Sequence, residues 1–583
     1  MTTILSNEIN ILEKYRAKAI MILGTTSGAG KSWLTTALCR YYSNLGYKVA
    51  FYKAQNMSNN ARVVSTHNLT SLDAGLGEMG SAQYFQALSA RCIPDVRMNP
   101  VLLKPESDTS SQVVVMGKVT KEISMMPWLE RAQYLWPYAR DALHSLMDEY
   151  DVVIIEGAGS PAEINLRSTD YVNMKVALEV NAACLLVTDI DRGGSFAHLY
   201  GTYQLLPENE RRLIKGFVLN RFRGDPELLK PGPEMLEKLT GVPTVAVIPI
   251  WREHGLPEED GVYDLGAAEP TSASPRRYTI GIIAFPHISN LDEYQSLVSA
   301  KSLRVLWVRE ARLLDQCDMI ILPGSKCVID DLQWLKGTPG LSEGVITHHE
   351  HGKRVLGICG GYQMLGCFII GEEGIEGVDG KTQHTGLGLL CTATFYERDK
   401  CIKHTTFAFA NNLPAPWSEL SLLRSTGYEI HYGQTVLIAD LNFDLVDLFT
   451  ANDNTRPFAY DYNGQVLGHV NRSAAGVYVH GLFEGDGRML RALFGTEGTE
   501  IRALDEVIFR IHVICVPLYY NTYVHVVYLV NNIDLFLFYY MQQVFEGLAA
   551  FVEPCFSAGL LQGLLLQTAR LLLCSFFDPC SLI

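Results

Sequence analysis

No C-x-x-C pair occurs among the thirteen cysteines of this chain, so neither a ribbon-type zinc site nor a secreted disulfide framework is indicated, and a reducing compartment is expected. Positive charge is also scarce. Forty-eight Lys and Arg stand against 63 Asp and Glu, a formal net charge of -15, which argues against a protein that wraps nucleic-acid phosphates. A cleft with a local positive field remains compatible with an anionic small-molecule substrate. The first twenty residues hold no long apolar run ahead of their charges, so they do not read as a secretory signal, and a cytoplasmic location is expected. Residues 511–533 are uncharged, yet Pro517, Asn521, Asn531 and Asn532 interrupt them. No stable membrane insertion is expected. Lysine is absent altogether from the 78 residues between Glu506 and Ile583, which carry only seven Asp, Glu or Arg.

What is present points to two domains and something extra, since 583 residues exceed one ordinary core. Apolar, β-branched runs at 19–23, 49–52, 152–155, 184–187, 217–219 and 245–248 alternate with longer helix-like stretches. That alternation predicts a doubly wound α/β domain with a parallel sheet over residues 1–250. An acidic, then Pro/Ser/Ala-rich linker over 251–277 follows. Runs at 280–284, 305–308, 319–322 and 355–358 predict a second doubly wound α/β domain over 278–504. Residues 505–583, apolar and aromatic, are read as an atypical tail outside the catalytic fold, an extension of the readthrough or shifted-frame kind. No internal repeat is found.

Gly24-Thr-Thr-Ser-Gly-Ala-Gly-Lys-Ser32 separates an apolar strand from a helix-like segment. Glycines such as Gly28 and Gly30 let backbone N–H groups converge on phosphate oxygens, Lys31 brings a point charge, and Ser32 can hold magnesium. ATP and Mg²⁺ are the expected cofactors. The first glycine lies one residue further from Gly-Lys than in the common pattern, a spacing that resembles the dethiobiotin synthetase branch of phosphate-loop enzymes. Glu156 ends a predicted buried strand on the side where open α/β sheets bind ligands, which makes it the first candidate metal carboxylate.

Lys353-Arg-Val-Leu-Gly-Ile-Cys359-Gly-Gly forms a strand, a sharp Gly-flanked turn and a helix start around one cysteine. Such an elbow exposes a nucleophilic sulfur at a helix N-terminus. His480, at the end of another apolar run, is the candidate base, although a lone histidine there serves a core equally well. The pattern resembles class I-like glutamine amidotransferases, in which Cys and His release ammonia from L-glutamine. Leu322-Pro-Gly-Ser325 is similar to the oxyanion loop of those enzymes, with backbone N–H groups of Gly324 and Gly360 as donors. Many relatives carry Glu two residues after the histidine. Here that position is Leu482, so a complete triad is not expected, and a decayed, scaffold-like amidotransferase domain fed by free ammonia stays open.

Longer motifs are more specific: Lys53-Ala-Gln-Asn-Met-Ser-Asn-Asn60, Met98-Asn-Pro-Val-Leu-Leu-Lys-Pro105, Glu156-Gly-Ala-Gly-Ser-Pro-Ala-Glu-Ile-Asn165, Asp189-Ile-Asp-Arg-Gly-Gly-Ser-Phe196 and Gly427-Tyr-Glu-Ile-His431. Together they resemble the cobyric acid synthase family over roughly residues 18–494. The resemblance implies ATP-driven, glutamine-dependent amidation of adenosylcobyrinic acid a,c-diamide. It also implies Glu78 as a second metal carboxylate, while Asn220, after the run at 217–219, resembles the adenine-contacting Asn of dethiobiotin synthetase, with a turn residue as the alternative. Asp189 and Arg192 are assigned to substrate or phosphate, with a structural salt bridge as the equal alternative.

Overall fold

The computed structural model describes residues 17–66, 75–106, 109–251, 254–257, 278–300, 302–371, 382–441, 454–484, 487–495, 535–557 and 560–570. Its first sheet is wholly parallel and consists of β1 (Lys18–Gly24), β2 (Val49–Tyr52), β3 (Val152–Glu156), β4 (Ala183–Asp189), β5 (Ile214–Phe222) and β6 (Thr244–Pro249), in the order β6-β5-β4-β1-β3-β2. The inner strands β1, β3 and β4, and β2 beside them, are almost continuously buried, as their unbroken apolar runs require when helices cover both faces. The order builds outward on both sides of β1. The reversal therefore lies at the C-terminal end of β1, where the phosphate loop begins.

Between β2 and β3 the chain inserts a small sheet of Gln55–Met57, Val101–Pro105, Ser111–Val115 and Lys118–Val119, and a hairpin of Ala61–Ser65 with Leu76–Gly80. The strand pattern read from sequence does not include them, because they are only two to five residues long.

The second domain has β7 (Tyr278–Ile283), β8 (Leu303–Val308), β9 (Met319–Leu322), β10 (Arg354–Ile358) and β11 (Ala474–Val477) in the parallel order β8-β7-β9-β10-β11. Beyond β11 the sheet continues antiparallel through Val466–Asn471, Arg456–Asp461 and the long strand Thr392–Phe409, which pairs with Arg424–Leu437. Parallel pairing of Ile358 with Val477 brings the exits of β10 and β11 side by side. Cys359 and His480 follow those two exits.

The expectation that residues 505–583 stand apart from the fold is corrected for their described part. Helix α1 (Lys31–Asn44), which follows the phosphate loop, is packed by α2 (Leu535–Val552), and α3 (Leu560–Arg570) lies against the same domain. Met541, Phe545, Leu548 and Val552 are buried in the core of the first domain. Arg40 of α1 is fully buried and donates to Gln542 Oε1 and, at 3.4 Å, to Glu546 Oε1. Tyr42 Oη donates to the Leu561 carbonyl at 2.6 Å. Phe556 forms an antiparallel bridge with Ala246 on the edge strand β6, and Ser557 N donates to Val245 O at 3.0 Å. The apolar residues of this described part are thus accounted for by burial: they cover one face of α1 and an open sheet edge. Most of the linker at 251–277, and all of 511–533, lie outside the described residues. Among the described residues no helix is long and apolar enough to cross a membrane.

Candidate active sites

At the end of β1 the loop turns through Gly28 and Gly30, whose φ angles of 71° and 95° fall in the left-handed region. A Cβ on Gly30 would lie 2.0 Å from Asn220 Nδ2, so the loop requires glycine there for space as well as conformation. Lys31 Nζ donates to the carbonyls of Thr26, at 3.0 Å, and Gly159, at 3.2 Å, holding the ammonium across the loop mouth. Ser32 Oγ donates to Glu156 Oε1 at 2.8 Å. Glu156, buried at the end of β3, also accepts from Lys53 Nζ at 2.9 Å and Gln86 Nε2 at 2.6 Å. A hydroxyl and a carboxylate brought together beside a phosphate loop fit the oxygen donors that magnesium prefers.

The remaining first-domain candidates divide. Asn220 Nδ2 donates to Ala29 O at 3.0 Å and its Oδ1 accepts from Arg221 N at 2.9 Å, so its amide braces the phosphate loop. Asp189 is buried and paired with Arg221 Nη1 at 2.9 Å and Arg192 Nε at 3.4 Å, which is the salt-bridge alternative in physical form. Arg192 is two-thirds exposed and reaches over the loop, with Nη2 3.6 Å from where a Gly28 Cβ would stand. Glu78 is engaged elsewhere. It is wholly buried, one oxygen accepts from Lys104 Nζ, and the other accepts from Lys400 Nζ of the second domain at 2.6 Å. Burial pushes its carboxyl up, but the two ammonium groups outweigh that and hold it down at about 2. Its geometry is that of an interdomain ion pair, not of a partner to Ser32 and Glu156.

Cys359 has φ 49° and ψ −106°, a strained backbone for a residue with a side chain. Its N–H donates to Val477 O at 2.8 Å, tying the elbow to β11. A Cβ on Gly361 would meet the Leu322 carbonyl at 1.9 Å, and one on Gly360 the Ser325 amide nitrogen at 2.9 Å. Both glycines are needed for the helix Gly360–Leu365 to start so close to the 322–325 loop. Gly324 lies against the base, since a Cβ there would be 2.9 Å from His480 Cε1.

His480 is buried, and its Nδ1 is 3.0 Å from Glu293 Oε1. The other oxygen, Glu293 Oε2, accepts from Gly481 N at 3.0 Å. Burial alone would lower the imidazole, but Glu293 and the thiol group of Cys359 raise it from 6.5 to about 10. The third member of a Cys-His-Glu arrangement therefore exists. It comes from the 3₁₀ turn Leu291–Tyr294 after β7, and not from the position of Leu482 where the sequence pattern places it. The only hint in the sequence is the acidic pair Asp292-Glu293 shortly after an apolar strand, which by itself is indistinguishable from a helix start.

The thiol opens on a small cavity that also reaches residues of both domains, among them Asn59, Lys104, Ser289, Lys326, Lys400 and Gln363. Close by, Cys401, Glu429 and His431 bring three ligand-type side chains together. Glu429 already accepts from Thr405 Oγ1 at 2.5 Å and pairs with Lys403 at 3.2 Å and His431 Nε2 at 3.1 Å, so the cluster is satisfied without an ion.

Family models match both halves of the chain: a CobQ/CobB/MinD/ParA nucleotide binding domain over residues 20–255 and a CobB/CobQ-like glutamine amidotransferase domain over residues 279–488. The cobyric acid synthase of Albidiferax ferrireducens is 54% identical over 484 residues, covering 82% of this chain and 93% of the relative. The chain belongs to the cobyric acid synthase family. Family members from Leptothrix cholodnii (49% identical over 557 residues, 97% of the relative) and Variovorax paradoxus (47% over 548 residues, 99% of the relative) each cover 94% of this chain. A span that long can be reached only by running past residue 504, so the similarity to these members extends into the segment that packs on α1. Among solved structures, PurLQS from Thermotoga maritima covers 38% of this chain at 16% identity with a TM-score of 0.27.

Proposed function

We propose that the protein is a glutamine-hydrolysing, ATP-dependent amide ligase that converts the b, d, e and g carboxylates of adenosylcobyrinic acid a,c-diamide to amides. The observation that carries this reading is the presence, on one chain of the cobyric acid synthase family, of a Cys359–His480–Glu293 constellation and a separate phosphate loop with a hydroxyl–carboxylate pair.

In the second domain, His480 takes the thiol proton of Cys359 and holds it as an imidazolium stabilised by Glu293. The sulfur attacks the glutamine amide, and the N–H groups of Gly324 and Gly360 face the developing oxyanion. The imidazolium then gives its proton to the leaving nitrogen, releasing ammonia, and water hydrolyses the thioester to glutamate. In the first domain, Gly28, Gly30 and Lys31 bind the nucleotide phosphates, while Ser32 and Glu156 are the residues that would hold magnesium. When bound, that ion supplies charge neutralisation during phosphoryl transfer. Lys31 stabilises the phosphoryl group as it moves to a corrinoid carboxylate, and ammonia displaces phosphate from the resulting acyl phosphate. The cavity at Cys359 is lined from the first domain by Asn59 and Lys104, so the thiol site lies against the synthetase domain.

Mass spectrometry of adenosylcobyrinic acid a,c-diamide incubated with the protein, glutamine and Mg-ATP tests this reading. The expected product has exchanged four hydroxyls for amino groups. An unmodified corrinoid, with either glutamine or ammonium as nitrogen source, refutes it.

A further inference from the structure

Arg62 belongs to the first domain, on the hairpin strand Ala61–Ser65, yet its charged head lies beside the thiol chemistry of the second. Its Nε and Nη2 donate to Asp292 Oδ2, and its Nη1 and Nη2 donate to the two oxygens of Glu484, with Nη1 at 2.6 Å from Oε2. All three groups are buried. Asp292 immediately precedes Glu293, the residue that holds His480, and Glu484 follows His480 by four positions. The guanidinium also lies 5.1 Å from the centre of the Tyr428 ring, which in turn stacks on the His480 imidazole at 5.4 Å and 22°.

The backbone around Arg62 grips the same turn. Ala61 N donates to Asn290 Oδ1 at 3.0 Å, and Leu291 N donates to Asn60 Oδ1 at 3.1 Å. Residues 290–292 are thus held from the first domain by three successive residues, 60–62.

Resting on the amidotransferase reading above, we propose that Arg62 is a positioning residue for glutamine hydrolysis, supplied by the synthetase domain, so that the thiol site is complete only when the two domains are docked. The physical reason is charge. Asp292, Glu293 and Glu484 crowd three carboxyl groups into one buried region around His480. A buried carboxylate without a counter-charge either protonates or moves. Burial keeps the Glu484 carboxyl up at about 6 even with Arg62 beside it. Without the guanidinium, repulsion falls on the turn that carries Glu293, and small displacements of an orienting group are costly in rate. Arg is suited to the position because its planar fork makes paired contacts to two carboxylates in a fixed geometry, which an ammonium does not reproduce.

The test compares wild type with Arg62→Lys, which keeps the charge and loses the fork, and with the triple variant Arg62→Met/Asp292→Asn/Glu484→Gln, which removes the guanidinium together with both carboxylates it pairs and so leaves neither of them buried and unpaired. Three readouts are taken: glutamine-supported amidation, ammonium-supported amidation, and alkylation of Cys359 by a chloroketone analogue of glutamine. Arg62→Lys is expected to lower the glutamine-to-ammonium ratio about 10- to 100-fold and to slow alkylation in parallel, with the pH profile of glutamine hydrolysis displaced, whereas the triple variant, which removes the two crowding carboxylates together with their counter-charge, is expected to stay nearer wild type in all three readouts. A purely structural role would lower both amidation rates together and leave their ratio and the pH profile as in wild type, which overturns the proposal. If wild type amidates the corrinoid with neither nitrogen source, the ligase reading fails, and the alkylation rates still decide the role of Arg62.

Discussion

Glu293 and His480 stand 187 positions apart in the chain and share a 3.0 Å hydrogen bond in which Nδ1–H of the imidazole donates to Oε1 of the carboxylate. That bond fixes which imidazole nitrogen faces Cys359 and stabilises the protonated ring. The folded-state value for His480 is raised from 6.5 to about 10. The stability contributed by the pair is therefore complete below about 6.5 and is lost as the pH rises through about 10.

Replacing Glu293 by Gln keeps the size and removes the charge. Glutamine hydrolysis is expected to fall about 100-fold or more, with its alkaline limb moving from near 10 toward lower pH as the imidazole loses its counter-charge. Rates across about pH 5 to 11, measured by glutamate release, check this. A variant with wild-type rate and limb would show that Glu293 is a bystander.

The two reactive centres should be separable. Cys359→Ala is expected to abolish glutamine-supported amidation while ammonium still supports it, because the thiol acts only in releasing ammonia. Lys31→Ala is expected to stop amidation with both nitrogen sources, since activation of the carboxylate depends on the phosphate loop. The decisive comparison is product formation with each nitrogen source for each variant. Loss of both activities in a folded Cys359→Ala protein, or ammonium-supported turnover by Lys31→Ala, would undo the division of labour.

Helix α2 is expected to be indispensable. Its Phe545 is fully buried, and Phe545→Ala should cost about 3–5 kcal/mol of stability, read from urea unfolding of the first domain. A chain ending at residue 504 should be poorly soluble, because it bares the apolar face of α1 and leaves buried Arg40 without Gln542 and Glu546. Recovery of such a chain in soluble form with an unchanged unfolding midpoint would restore the view that the tail is an appendage.

The sequence by itself determined the two α/β domains, the phosphate loop at Gly24–Ser32 and the thiol elbow at Cys359. Each of these is local: a buried parallel strand must be a continuous apolar run, a phosphate cradle needs glycines at its bend, and an elbow needs small residues on both sides of its nucleophile. Tertiary structure alone decided the rest. Glu293 reaches His480 because β7, β10 and β11 lie in one sheet, and no spacing in the chain records that neighbourhood. Glu78 and Arg62 read as ordinary charged residues until the second domain brings Lys400, Asp292 and Glu484 to them. The tail shows the same limit from the opposite side. The apolar residues of its described part are buried, but what buries them is α1, with Arg40 and Glu546 lying 506 positions apart, and composition carries no information about a partner at that distance.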